Sequence, residues 1–137
     1  MKNLECFLKR SEAIADNIKF VVDEDIKDEE GNPIEWELRR IKAKEADEAQ
    51  NEAFKVDIEK QDIQFNQSIL RNKIMAKSVV YPDLNNAELQ DAFGVRTPED
   101  LLGSMLGLGA FDRLEKKVNI INGYGKTFND LKEEAKN

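Results

Sequence analysis

The stretch LLGSMLGLGAF at residues 101–111 contains three of the seven glycines of the chain, at positions 103, 107 and 109. A phosphate-binding loop would need a preceding strand and a lysine at a fixed offset, but helix-forming sequence precedes these glycines and the next lysine is Lys116. Gly103 and Gly107 have the Gly-x-x-x-Gly spacing that lets two membrane helices pack closely. This spacing has that effect only within an apolar segment of about 20 residues. No such segment exists here. The spacing therefore predicts that Gly107 and Gly109 end one helix and allow a tight turn into the next, and that Gly103 lets another helix approach closely.

Start and stop signals on both sides of this stretch predict a series of short helices. Asn and Thr-Pro are typical first residues of helices, and Gly supplies the left-handed residue that ends them. The predicted helices span residues 85–94, 97–106, 110–122 and 127–136.

The N-terminal part predicts a short helix at residues 4–14 followed by a β-hairpin. Residues 17–22 are rich in β-branched and aromatic side chains, which favours a strand. In residues 34–39, apolar and charged side chains alternate with the period of a half-buried strand. Between the two strands lies an acidic, turn-forming stretch at residues 23–33, the expected tip of the hairpin.

Three further elements are predicted in the middle of the chain. Residues 42–53 consist mainly of the strong helix formers Ala, Lys, Glu and Gln. Residues 54–58 alternate again and predict a third strand. Ile63–Val80 has apolar residues at helical spacing and predicts a helix, which Tyr81-Pro82 would end.

Together these elements predict an α+β fold with a single domain, residues 1–137. Residues 1–60 would form an antiparallel hairpin or three-stranded sheet with one helix, and residues 61–137 would form a mainly helical part. Trp36, the only tryptophan, is expected in the core between the hairpin and the helices.

Composition excludes several classes of function. The chain has 21 basic and 28 acidic residues, a net charge of −7, which disfavours binding to nucleic acid. It has no histidine and one cysteine, so histidine-based acid–base catalysis, zinc sites and internal disulfides are not expected. Cys6 is expected to be a small buried or half-buried residue. The charged N-terminus lacks the apolar run of a signal peptide, which favours a cytoplasmic location without a membrane anchor.

The acidic stretch invites comparison with a calcium site. An EF-hand loop that began at Asp23 would need an oxygen ligand at its fifth position and Gly at its sixth, where this chain has Lys27 and Asp28. The stretch is therefore interpreted as a solvated hairpin tip. No arrangement of residues predicts a catalytic, cofactor or metal site.

Residues 80–95, VYPDLNNAELQDAFGV, resemble the corresponding segment of phage tail assembly chaperones of the XkdN-like type. These occur in PBSX-like defective prophages and in relatives with contractile tails. The similarity continues through residues 97–102 and 114–118 to the end of the chain, and residues 34–41 resemble the start of the family's strand-then-helix segment.

The resemblance implies a protein that works by binding and not by catalysis. Such chaperones associate with the tape measure protein, which sets tail length, and help recruit tail tube subunits. They act in the cytoplasm of the bacterial host and are absent from the finished particle. Self-association is a further option.

A helix-rich partner is bound by apolar grooves between short helices. We expect the helices between residues 85 and 121 to form such a groove. Its expected lining residues are Leu101, Leu102, Met105, Leu106 and Phe111. Each of the five, taken singly, also fits a purely structural role in the core.

An alternative function comes from a different class. A small acidic chain without a visible catalytic arrangement also fits an adaptor or inhibitor that regulates a host or phage enzyme.

Overall fold

A computed structural model describes residues 3–15, 17–57 and 62–124, which form an α+β fold. The helices are α1 (Leu4–Ala15), α2 (Ala43–Glu52), α3 (Gln67–Ser78), α4 (Ala87–Ala92), α5 (Pro98–Met105) and α6 (Leu108–Asn119). The strands are β1 (Ile18–Phe20), β2 (Trp36–Leu38), β3 (Phe54–Asp57), β4 (Asp62–Phe65) and β5 (Val79–Tyr81). A wide π-helical turn, Ile120–Tyr124, follows α6. The predicted helix at residues 127–136 lies outside the described residues.

The main sheet has three antiparallel strands in the order β1-β2-β5. The predicted hairpin is confirmed, with Phe20 opposite Trp36 and Ile18 opposite Leu38. The third strand is β5, in which Val79 lies opposite Leu38. Because β2 is central, it joins the N-terminal hairpin to the chain that leaves α3.

The predicted helix Ile63–Val80 is wrong at both ends. The side-chain oxygen of Asn66 accepts a hydrogen bond from the Ile69 backbone N–H at 3.0 Å. Asn66 therefore caps the helix, and α3 begins at Gln67 instead of Ile63. The residues before Asn66 form β4 instead. After Ser78 the β-branched and aromatic residues of β5 suit a strand better than a helix.

The predicted strand at residues 54–58 is confirmed as β3, but it pairs with β4 in a separate hairpin and does not join the main sheet. At the end of this hairpin Phe54 lies opposite Phe65, and their ring centroids are 5.1 Å apart. This contact is within the range of favourable aromatic pairs.

The core lies between the main sheet and the helices α3, α5 and α6. Trp36 and Leu38 are fully buried on the sheet side, as predicted for Trp36. The other members of the core cluster are Val22, Met75, Val79, Leu84, Leu101, Leu102, Leu106, Ala110, Leu114 and Val118. The helices therefore cover one face of a sheet that is too small to be stable alone.

The predicted helix starts and stops are largely confirmed. Asn86 accepts a hydrogen bond from the Leu89 backbone N–H at 2.8 Å, and Thr97 Oγ1 accepts one from the Asp100 backbone N–H at 3.1 Å. Gly94, with φ 67°, follows α4, and Gly123, with φ 95°, lies in the turn after α6. Both angles are in the left-handed region that favours glycine.

The predicted roles of the glycines in residues 101–111 hold only for Gly107. Gly107 separates the two helices as the residue before α6, whereas Gly109 lies inside the first turn of α6. Gly103 is exposed, and a Cβ atom placed on it would meet nothing within 4 Å. The predicted close approach of another helix at Gly103 is therefore wrong.

We expect Gly103→Ala to raise the free energy of unfolding by about 0.5–1 kcal/mol, because alanine restricts the unfolded chain and fits the open surface of α5. Gly94→Ala is the matched comparison. It should lower the free energy of unfolding by about 1–2 kcal/mol, because the left-handed backbone there disfavours a Cβ atom. Urea unfolding measures both; destabilisation by Gly103→Ala would show that a neighbour does pack against this position.

Candidate functional site

The five residues predicted to line a groove lie largely in the core. Leu101 and Leu102 have 0% exposed surface and Leu106 has 7%. Met105 and Phe111 are half-buried and pack against the same cluster, and the Arg71 guanidinium lies 5.2 Å from the centre of the Phe111 ring. In this conformation only Met105 and Phe111 offer surface to a partner, and partner binding by this set stays a prediction.

The carboxylates of the acidic hairpin tip stabilise its turns. Asp28 Oδ1 accepts hydrogen bonds from the backbone N–H groups of Glu30 and Asn32, both at 2.9 Å, and Asp23 Oδ1 accepts one from Asp25 at 2.9 Å. Within residues 3–15, 17–57 and 62–124, no three His, Cys, Asp or Glu side chains are placed to hold a metal ion. The tip is an exposed acidic surface held in shape by its own side chains.

The most exposed apolar surface of the N-terminal region is on α1. Leu4, Phe7 and Leu8 are 66%, 76% and 60% exposed. Cys6 is also exposed, so the expectation of a buried or half-buried thiol is wrong. Arg10 lies one turn after Phe7 on the same side of the helix, because residues three apart are neighbours on a helix surface.

Arg10 lines the first of two adjoining clefts. The first has a volume of about 530 Å³ and is lined by α1, the loop after β2 and the turn after α6. The second, of about 290 Å³, continues along α2 and α3. We call both together the basic cleft. Its lining residues are Arg10, Arg40, Ile41, Lys42, Ala43, Ala46, Ile74, Asn119, Ile120, Ile121, Asn122, Gly123 and Tyr124.

Asn122 fixes the two sides of the basic cleft to each other. Its Oδ1 accepts a hydrogen bond from the Ile41 backbone N–H at 2.9 Å, and its Nδ2 donates to the Val118 carbonyl at 2.8 Å. The first bond joins segments 81 residues apart, and the second holds the side chain against the end of α6. Sequence reasoning placed Asn122 at the end of a helix but gave it no long-range role.

Arg39 and Glu45 fix the loop that enters the basic cleft. The Arg39 guanidinium donates to both Glu45 carboxylate oxygens, at 2.6 and 3.0 Å, and the Lys42 backbone N–H donates to Glu45 Oε1 at 3.0 Å. The Arg39 hydrogen bond holds the pKa of Glu45 at about 2, well below its ordinary value. Glu45 therefore caps the start of α2 while its charge is neutralised by Arg39.

Two other cations connect elements away from the basic cleft. Arg113 Nη1 donates to the Val22 carbonyl at 2.7 Å and so ties the residue just before the acidic tip to α6. Lys73 Nζ on α3 lies 3.0 Å from a carboxylate oxygen of Glu52 and 3.5 Å from one of Glu99. Its pKa is raised, chiefly by the hydrogen bond with Glu52. These contacts join elements of the fold and leave the clefts open.

The described helices include none that combines the length and hydropathy required to cross a membrane.

Comparisons with known proteins agree on one family. The family model for phage XkdN-like tail assembly chaperone proteins matches residues 4–136. The chain is also similar to the phage-like element PBSX protein XkdN of Bacillus subtilis strain 168, with 27% identity over 139 residues that cover 98% of this chain and 94% of the relative.

A solved structure has the same fold. The crystal structure of the protein yqbn matches with a TM-score of 0.74 and 20% identity, covering 90% of this chain and 98% of that one. At this identity the likeness concerns the fold alone.

The pH dependence of stability should report the Arg39–Glu45 pair. A carboxylate whose pKa is lowered on folding stabilises the folded state above its unfolded pKa, and this contribution is lost as the pH falls toward the folded pKa. We expect Glu45→Gln to lower the free energy of unfolding by about 1 kcal/mol at pH 7. The effect is not larger because solvent weakens the attraction between Arg39 and Glu45, which are partly exposed. The difference from the unchanged protein should shrink as the pH falls from the ordinary glutamate value to about 2.

Glu48→Gln is the matched control, since Glu48 is an exposed acid on the same helix. We expect it to change stability by less than about 0.5 kcal/mol. Urea unfolding at several pH values measures all three proteins, and an equal effect of both substitutions at pH 7 would contradict a specific role for Glu45.

Removal of the Asn122 side chain should weaken the connection across the basic cleft. We expect Asn122→Ala to lower the free energy of unfolding by about 1–2 kcal/mol, because the Ile41 backbone N–H loses its partner. Amide hydrogen exchange at Ile41 should accelerate more than global unfolding explains. Asn119→Ala, an exposed change one turn earlier on α6, is the control and should leave the Ile41 amide protected.

Proposed function

The chain belongs to the XkdN-like family of phage tail assembly chaperones, and we propose that it binds the tape measure protein of its own phage or prophage. In this proposal it also helps recruit tail tube subunits, acts in the cytoplasm of the host bacterium and leaves before the tail is complete. The single observation that carries the proposal is the family match over residues 4–136.

The exposed apolar side chains of α1 support a role in binding a helical partner. Leu4, Phe7 and Leu8 follow the i, i+3, i+4 pattern by which one helix packs on another. A long tape measure chain exposes apolar helical faces before assembly. Covering such faces with a small protein would prevent their association with one another.

The acidic surface supports the same role. With a net charge of −7, the complex would carry repulsive charge that discourages nonspecific association. Exposed carboxylates lie on the hairpin tip and also on α2, α4 and α5, and Glu5 lies on α1 next to its apolar side chains.

We propose that the chain contributes contacts and no chemical step. The side chains most strongly tied by charge, such as Arg39 with Glu45, connect elements of the fold. Met105 and Phe111 remain a second proposed contact surface, next to the core that supports them.

Co-expression with the tape measure protein of the same phage tests the proposal. We expect a complex on size-exclusion chromatography and a larger soluble fraction of the tape measure protein than without the chaperone. An unchanged soluble fraction together with no complex would overturn the proposal.

Variants in the same assay separate the two proposed surfaces. Leu4→Ser with Phe7→Ser should reduce capture at least tenfold, by loss of about 1.5–3 kcal/mol per apolar side chain buried on binding. Leu108→Ser is the control, because Leu108 is 89% exposed on α6. If Met105→Glu abolishes capture of the tape measure protein and the α1 variant does not, binding would be assigned to α5 and α6 instead. Circular dichroism would confirm that the Met105→Glu protein is folded.

A further inference from the structure

The basic cleft has a charge opposite to that of the whole chain. Three of its lining residues are cationic, namely Arg10, Arg40 and Lys42. Among the described residues that line the two adjoining clefts, none is acidic, although the chain has 28 acidic residues. A concentration of one sign of charge in a concave surface attracts groups of the opposite sign.

Apolar side chains share the lining of the cleft with these cations. Ile41 and Ile121 are partly buried, while Ile120 is 53% exposed and Tyr124 is 81% exposed. A small anion would contact only the cations and leave these side chains in water. The combination fits a larger occupant with both apolar and acidic groups.

The start of α2 adds to the positive potential. The first residue of this ten-residue helix, Ala43, lines both clefts, and the N-terminal end of a helix carries a partial positive charge. Glu45 in the first turn is held by Arg39. Its negative charge is therefore largely offset close to the cleft.

We propose that the basic cleft binds an amphipathic helical segment of a partner protein whose apolar stripe is bordered by Asp or Glu. Its apolar side chains would contact Ile41, Ile120 and Ile121, and its carboxylates would lie near Arg10 and Lys42. The assignment of this segment to the tape measure protein rests on the proposed function. The apolar and acidic character of the segment is inferred from the residues of the cleft and does not depend on that function.

Two fluorescein-labelled helical peptides provide the first test. Both have 18 residues with Leu at i, i+3, i+4 and i+7; one has Glu at the bordering positions and the other has Lys. We expect the Glu peptide to bind at least about tenfold more tightly at low salt and the difference to narrow in 0.5 M NaCl, because exposed charge pairs are screened. Fluorescence anisotropy measures affinity, and amide shifts at Ile41, Lys42 and Asn122 locate the bound peptide.

Charge-reversal variants provide the second test. Arg10→Glu with Lys42→Glu should weaken binding of the Glu peptide about tenfold or more. Lys27→Glu with Arg96→Glu gives the same net charge by changing two exposed cations outside the cleft, and should have less than about a twofold effect. Ile120→Ser should weaken both peptides, because it removes apolar contact and no charge.

Four results would overturn the proposal that the cleft binds a partner helix. Equal effects of the two charge-reversal pairs, equal binding of the two peptides, or amide shifts elsewhere would overturn the cleft proposal. A change in self-association on Arg10→Glu with Lys42→Glu, without a change in peptide binding, would assign the cleft to a second copy of the chain and also overturn it.

Co-expression with the tape measure protein keeps this proposal distinct from the proposed function. Capture of the tape measure protein that is unaffected by Arg10→Glu with Lys42→Glu would overturn the cleft assignment and leave the proposed function standing. Peptide binding in the cleft without any capture of the tape measure protein would support the cleft chemistry and overturn the proposed function.

Discussion

Burial of the β2 strand beneath the helices is the constraint on which the rest of the structure depends. Trp36 and Leu38 point from the central strand into the cluster formed with α3, α5 and α6. Because β2 pairs with β1 on one side and β5 on the other, its position fixes both the acidic hairpin and the end of α3. The loop after β2 is then held at three places: Arg39 donates its backbone N–H to Ser78, its side chain binds Glu45, and Ile41 binds Asn122. The basic cleft is built on a loop that the core has already placed.

Local patterns predicted the elements whose causes are local. The alternation around Trp36, the Thr97-Pro98 helix start and the left-handed Gly94 each depend on a few neighbouring residues, and each is confirmed. The strand β5 was missed because its partner, β2, lies far away in the sequence. The strand β4 was missed because a short apolar run before a helix fits the helical period as well as the strand period. Gly103 was misinterpreted for a similar reason, since close approach depends on a partner that the local sequence does not reveal.

The candidate sites also differ in how far the local sequence could predict them. Leu101, Leu102 and Leu106 have the spacing of an apolar helix face, but spacing alone does not distinguish a face that packs in the core from one that awaits a partner. Here the short sheet needs those leucines as cover. The basic cleft was not predicted because its cations come from α1 and from the loop after β2, and its isoleucines come from that loop, from α3 and from the turn after α6. Only the fold brings them together.

This division between core and exposed apolar residues suits the proposed role in transient binding. Core side chains such as Leu102 and Trp36 contribute folding energy that is not available for binding, because they are already withdrawn from water. The exposed side chains of α1 and of the cleft, such as Phe7 and Ile120, contribute little to folding and gain free energy only when a partner covers them. In the proposed function, contacts built from a few partly exposed apolar groups and screened charges would have moderate strength, so a more extensive interface could displace them as assembly proceeds. The proposal thus assigns stability and release to different residues of the same small fold.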